Sequence, residues 1–352
     1  MIVVLADDLS GAAELAGVAL QHGLSAEVQT AFHAAANTDV VCLDTNTRLC
    51  AEAEASARVS AIGREVRAAR PAWIFKKCDS VLRGPVLAEA RAVARAAGKS
   101  RIVILSANPS RNRIIRAGRY FVDGRPLSET AFARDPIHPR HTSKLADLVG
   151  GDLAGVSLPD AESAADMQRQ AHDLDDSTLP VGAADFFKAL LEVKEPRKPA
   201  PLPPVIDPAP TLLVCGSAAA WNQRRHEAGA RGLPVFALPH DPAAIASRVS
   251  SSGFAVLGIG DGPVTRGQSP EALTAGLAGT VRQVLQMAAV ARVMLEGGAT
   301  AAALLGSLGP SRLEALGTIG DVALLRPVNA ASPLMCIKPG SYPWPEALWP
   351  QK

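Results

Sequence analysis

IVVLADDLSGAAELAGVALQHG, residues 2–23, decides the fold. Its first five residues, Ile2 to Ala6, are all apolar and read as a buried strand. Asp7 and Asp8 follow, then a helix from about Gly11 to Gln21, with Gly23 suited to its C-terminal stop. The same unit repeats outward. Val40 to Leu43 reads as a second strand before a helix between about Ala51 and Ala69. Trp73 to Lys76 reads as a third, and Pro85 stands where a first-turn proline opens a helix that runs to about Ala97. Arg101 to Leu105 is a fourth strand. Short apolar strands alternating with helices specify an α/β fold around a mainly parallel sheet. Ser106 to Ser143, rich in Arg, Gly, Pro and Asp, lacks periodicity, and a stretch that long without regular structure is functional or disordered.

A chain of 352 residues exceeds one ordinary core at about 150 residues per domain. The boundary is KEPRKPAPLPPVIDPAP, residues 194–210, whose seven prolines make an extended linker. Beyond it the rhythm restarts with strands at Thr211 to Val214, Val235 to Leu238, Phe254 to Ile259 and Val293 to Leu295, and a long helix from about Glu271 to Met287. The expectation is two α/β domains with mainly parallel sheets, joined by this linker, with the active site in the cleft between them. With 48% apolar, 20% charged and few aromatic residues, the cores are aliphatic. A formal charge of +2 gives no field for nucleic acid. Cys42, Cys50, Cys78, Cys215 and Cys336 are scattered without metal-ligand spacing and read as inert thiols. No signal peptide is legible, and Ala288 to Leu305, interrupted by Arg292 and Glu296, is no membrane span. The protein reads as cytoplasmic, with no nucleic-acid or membrane partner.

Ligands of open α/β sheets bind beyond the carboxyl ends of the strands. Four first-half strands end there in polar clusters: Asp7 to Gly11, Asp44 to Arg48, Lys76 to Arg83 and Ser106 to Arg113. Together they hold carboxylates able to take a proton or a metal, and cations able to hold an anionic substrate. Plainer readings exist. Asp8 or Ser10 serves as a helix cap, and Arg48 or Arg83 as a solvated charge. Asp7 resists that account, because a cap needs one carboxylate of the pair. In the second half, Cys215-Gly216-Ser217 and Glu296-Gly297-Gly298-Ala299-Thr300 each join a strand to a helix, a geometry that meets phosphates or merely packs tightly. Lys338-Pro339-Gly340 is a third anion-capable turn. Neither GxxxxGKS/T nor GxGxxG occurs, which disfavours a Walker-type NTPase or an ordinary dinucleotide enzyme.

ADDLSGAAELA (6–16), DTNTR (44–48), KKCDSVLRG (76–84) and GRYFVDGRPLSETAFARDPIHPRHTS (118–143) resemble the four-carbon acid sugar kinases. A thinner likeness continues through CGS at 215–217, Gln223, GGATA at 297–301 and the final KPG. The resemblance implies a substrate domain over residues 1–193 and a nucleotide-binding domain over 211–352, using ATP and Mg²⁺ to phosphorylate threonate-, erythronate- or oxo-tetronate-like acids. It carries Asp8, Arg48, Lys77, Asp79, Ser80, Arg83 and Gly84 to the substrate side, and Ser217, Gly297, Gly298, Thr300 and Gly340 to the nucleotide side. Asp8 or Asp7 would be the catalytic carboxylate; the motif leaves open which, names no metal ligand, and leaves a homo-oligomer open. Departures gather on the nucleotide side. Ala299 replaces the family's acidic residue, and Pro339 removes a backbone N–H. Cys78 and Val81 also depart from the usual segment. A non-catalytic sugar-acid binder is therefore the alternative reading.

Overall fold

The computed structural model describes residues 1–135, 137–195, 209–260, 267–328, 332–339 and 343–350. Most of the proline-rich stretch read as a linker, and Gly340, lie outside the described residues. The chain forms two compact units, residues 1–26 with 32–200, and residues 27–31 with 201–352. Residues 27–31 thus pack with the second unit, which a first domain drawn as 1–193 did not anticipate.

The elements of the N-terminal half run β1 (Ile2–Ala6), α1 (Leu9–Gln21), β2 (Ala26–Gln29), β3 (Val40–Asp44), α2 (Glu52–Ala68), β4 (Ile74–Lys77), α3 (Val86–Ala97), β5 (Arg101–Leu105), β6 (Arg113–Arg116), β7 (Arg119–Val122), β8 (Arg125–Pro126), α4 (Leu145–Val149), β9 (Val156–Ser157), α5 (Ala164–His172), β10 (Thr178–Gly182) and α6 (Ala184–Lys194). The first unit's main sheet is parallel throughout, in the order β3-β1-β4-β10-β5-β9. Its interior strand β1 is buried along its whole length, as five apolar residues covered on both faces must be. All carboxyl ends therefore lie on one edge, where the polar clusters sit.

Ser106 to Ser143 is not without regular structure. β6, β7 and β8 make a small antiparallel sheet. Its two turns are Ala117-Gly118 (φ 47° and 68°) and Asp123-Gly124 (φ 50° and 76°). Positive φ at both central positions is the hairpin geometry whose twist matches that of the strands.

In the second unit follow β11 (Thr211–Cys215), α7 (Ala218–Ala230), β12 (Val235–Ala237), α8 (Pro242–Ser252), β13 (Phe254–Gly258), α9 (Pro270–Met287), β14 (Arg292–Glu296), α10 (Gly298–Leu308), β15 (Arg312–Ile319), β16 (Val322–Pro327) and β17 (Leu334–Lys338). β12-β13-β11-β14-β17 are parallel, and β16, β15 and the end of β2 continue the sheet antiparallel. Glu27 anchors that last pairing through Arg312, whose Nε and Nη2 donate to the two carboxylate oxygens at 2.9 and 2.7 Å. Leu213, Val256, Met294 and Cys336 fill the core with Trp221, Trp344 and Trp349.

Candidate functional site

The backbone beyond β1 and β3 is stitched together first. Thr45 donates to the Ala6 carbonyl through N and Oγ1, both at 2.8 Å, and the N–H groups of Thr47 and Arg48 donate to the Asp7 carbonyl at 2.9 and 3.1 Å. This brings Arg48 onto the aspartate pair. Its Nε and Nη2 each donate to an oxygen of Asp7 at 2.8 Å, and its Nη1 to Asp8 Oδ2 at 2.5 Å. Asp8, not Ser10, caps α1: its Oδ1 accepts from Gly11 N at 2.7 Å, and Ser10 Oγ donates to its Oδ2 at 2.7 Å.

A second arginine–carboxylate fork stands beyond β4. Asp79 accepts from the backbone of Val81 and Arg83 at 3.1 Å each, and from Arg83 Nε and Nη2 at 3.0 and 2.7 Å. Arg83 Nη1 reaches on to Asp135 at 3.1 Å. Arg48 Nη1 lies 3.8 Å from Asp79, which links the two forks. Gly84 makes the approach possible: at φ 87°, any Cβ there would come within 2.9 Å of the Arg48 carbonyl oxygen. Lys77 donates to the Cys78 carbonyl at 2.8 Å and pairs with Glu14 at 3.3 Å. Ser80 accepts from Arg113. Asp7, Asp8, Arg48, Lys77, Asp79, Ser80, Arg83 and Gly84 thus meet on one edge of the first unit.

Burial works to raise both Asp7 and Asp79, yet the facing arginines outweigh it. Arg48, with Lys76 and Lys77, holds Asp7 below the usual carboxylate range, and Arg83 with Arg48 holds Asp79 well below it. Asp44 behaves oppositely. Burial, with repulsion from Asp8 and Asp7, pushes its carboxyl up to about 7, despite the hydrogen bond from Asn46 N at 2.8 Å. The sequence reading placed Asp44 in a polar cluster beyond its strand but gave it no role of its own; Asp135, His138 and Arg140 were given none either. They lie in the quoted 118–143 run, and only the fold shows that this run returns to Arg48 and Arg83.

On the second unit, Ser217 caps α7 through its hydroxyl, which accepts from Ala220 N at 3.3 Å. Gly297, at φ 98°, opens α10 with no side-chain cap and no acidic residue in the first turn. The two turns touch: a Cβ at Gly216 would overlap the Thr300 hydroxyl. Ser217, Gly297, Gly298 and Thr300 are therefore neighbours at the carboxyl ends of β11 and β14. Beneath them Glu296 is fully buried, accepting from Lys338 Nζ at 2.7 Å and lying 3.0 Å from Arg224 Nε.

A family model described as a sugar-binding N-terminal domain matches residues 2–179. A D-threonate kinase of Bordetella bronchiseptica is 30% identical over 95% of this chain and 89% of its own length. The chain belongs to the four-carbon acid sugar kinase family. A solved protein of Salmonella typhimurium shares the fold of this family member with a TM-score of 0.75 at 18% identity, over 97% of this chain and 96% of its own. A Bordetella bronchiseptica DUF1537 protein, solved with bound citrate as a domain-swapped dimer, is 26% identical over 97% of this chain and 95% of its own, with a TM-score of 0.50. No described helix is long and apolar enough to cross a membrane.

Proposed function

We propose that this family member is a cytoplasmic kinase that transfers the γ-phosphoryl group of ATP to a hydroxyl of a four-carbon sugar acid. The observation that carries this reading is the doubled arginine–carboxylate fork beyond β1, β3 and β4, in a chain 30% identical to a D-threonate kinase over 95% of its length. The substrate hydroxyl oxygen attacks the γ-phosphorus as the bond to the β–γ bridging oxygen breaks, its proton passes to a carboxylate, and ADP departs with the electron pair. Asp8 suits that proton better than Asp7. Asp7 gives both oxygens to Arg48 and has a side chain 3% exposed, against 14% for Asp8. Such reactions rest on positioning and charge stabilisation more than on covalent chemistry.

The uncapped first turn of α10 beside Ser217 suits the triphosphate, because its amides face an anion without a competing side chain. Mg²⁺ neutralises phosphate charge when bound. Ala299 and Pro339 each lack a group that would help. One lost charge-assisted contact is worth about 1.5–3 kcal/mol, or one to two decades of affinity, so ATP should bind nearer millimolar than micromolar. Those departures also favour the second reading, an acid-binding protein without catalysis. The citrate and the swapped dimer of the Bordetella relative support an acid site and a homo-oligomer respectively.

The deciding assay couples ADP release to NADH oxidation, with D-threonate, D-erythronate and 3-oxo-tetronate at millimolar ATP and Mg²⁺. Acid-dependent ADP release is expected. Calorimetric binding of an acid without ADP release would leave the non-catalytic reading in possession; binding of none would refute both.

A further inference from the structure

Three cations of the first unit's site are already committed. Arg48 serves Asp7 and Asp8, Arg83 serves Asp79 and Asp135, and Lys77 serves Glu14 and the Cys78 carbonyl. Each arginine gives three of its five N–H donors to carboxylates of the protein itself, which leaves one N–H on each Nη. Arg140 differs. Its Nε donates to the His138 carbonyl at 3.1 Å, while its two Nη groups make no hydrogen bond or ion pair among the described residues. It is half-buried, in the field of Asp79 and Asp135 and repelled by Arg83. A half-buried guanidinium with its outer donors unused is arranged for an anion that arrives.

The loop that carries Arg140 is held on the site. Arg140 N donates to the Phe132 carbonyl at 2.9 Å, and Asp135 accepts from the backbone of Ile137 and His138 at 3.0 and 2.8 Å while it holds Arg83. The Phe132 ring lies under both Arg83 and Arg113, at 5.9 and 5.5 Å. His138 supplies a second, independent sign. Its ring lies against the Arg48 carbonyl, and its Nε2 is buried without a hydrogen-bond partner among the described residues. Buried polar atoms left unpaired are rare and costly, and a substrate hydroxyl would satisfy this one. Burial and the nearby Arg140 keep the ring below its ordinary pKa, hence neutral and able to face a hydroxyl.

We propose that Arg140 binds the carboxylate of the sugar acid and that His138 Nε2 meets an adjacent hydroxyl, so that the Asp135–Arg140 loop reads the acid end while Arg48 and Arg83 organise the carboxylates. This inference rests on the sugar-acid reading above. The test is calorimetric titration of D-threonate into the wild-type protein, Arg140→Gln and Arg140→Lys, with melting temperatures for each. Arg140→Gln should weaken D-threonate about ten- to a hundredfold at an unchanged melting temperature, and Arg140→Lys should recover part of the loss. His138→Phe should weaken it several-fold. Wild-type affinity in Arg140→Gln would overturn the proposal and leave the kinase reading standing. Equal losses in the Gln and Lys variants with a lowered melting temperature would also overturn it, by marking Arg140 as structural. A wild-type protein that binds none of the four-carbon acids removes the sugar-acid reading itself, and the proposal with it.

Discussion

Asp44→Asn isolates one titration in a crowded site. Asp44 ends β3 beside Asp7 and Asp8, and burial with their repulsion lifts its carboxyl from the ordinary 3.8 to about 7, while Arg48 and the Asn46 amide pull the other way. Between those two values the folded chain keeps a proton that the unfolded chain releases. Stability therefore falls as pH rises, by about 1.36 kcal/mol per pH unit for one proton. Over roughly three units that is on the order of 4 kcal/mol. The contribution is complete below the unfolded value and gone above about 7. Asn at 44 keeps an acceptor for the Asn46 amide and removes the titration.

The assay is the difference in melting temperature between Asp44→Asn and wild type, taken from pH 5 to pH 8. Carboxylates held low, such as Asp7 and Asp79, lose their stabilisation at acid pH in both proteins and cancel in that difference. The mutant's advantage should grow by several degrees across the window and level off above pH 7, given about 2–4 °C per kcal/mol for a unit of this size. A difference that stays flat would falsify the account, because Asp44 would then not titrate between pH 5 and pH 8.

Two further substitutions test the two ends of the proposed reaction. Asp8→Asn keeps the helix cap, since Asn caps as well as Asp, but removes the proton acceptor. Turnover should fall about 10²- to 10⁴-fold, while the lost pairing with Arg48 lowers the melting temperature only modestly; a variant that keeps most of its kcat would move the base to Asp7, Asp79 or Asp44. Glu296→Gln leaves Lys338 and Arg224 buried without their shared carboxylate, so the second unit should lose about 3–5 kcal/mol in urea unfolding. Lys338→Met in the same background should recover part of it, and an unaltered urea midpoint in the single variant would mean that Glu296 does not hold the network.

Most of the strands that sequence made legible are buried: β1, β3, β4, β11, β13 and β14 throughout, and β5 except at Arg101 and Val103. The missed ones fail for identifiable reasons. β10 is central in the first unit's sheet yet carries Pro180, opposite Val103, where a missing N–H argues against a strand. β2 reads Ala-Glu-Val-Gln, and its acid is met there by Arg312, 285 positions away, as well as by Gln29. The β6-β7-β8 sheet did announce itself through Asp123-Gly124, a hairpin signal that the surrounding polar residues masked. The cap on α1 was legible only as a choice between Asp8 and Ser10. Deciding it needed the position of the Gly11 amide.

The site itself was legible as a set of residues but not as a division of labour. DTNTR and KKCDSVLRG advertise Arg48 and Arg83 as conspicuous cations beyond strand ends, and such cations read as substrate ligands. Asp79 stands four residues before Arg83 in the same motif, but Asp7 and Asp135 lie 41 and 52 positions from their arginines, so spacing exposes only part of this pairing. On the proposed reading, an arginine clamped between two carboxylates has a further task. It lets Asp7 and Asp79 stay ionised close together in a buried place, where unpaired charges would be too costly to keep. On the same proposal, substrate also meets donors that the protein leaves unpaired. That criterion needs coordinates, and it selects Arg140 and His138 from a stretch whose sequence has no periodicity to mark it.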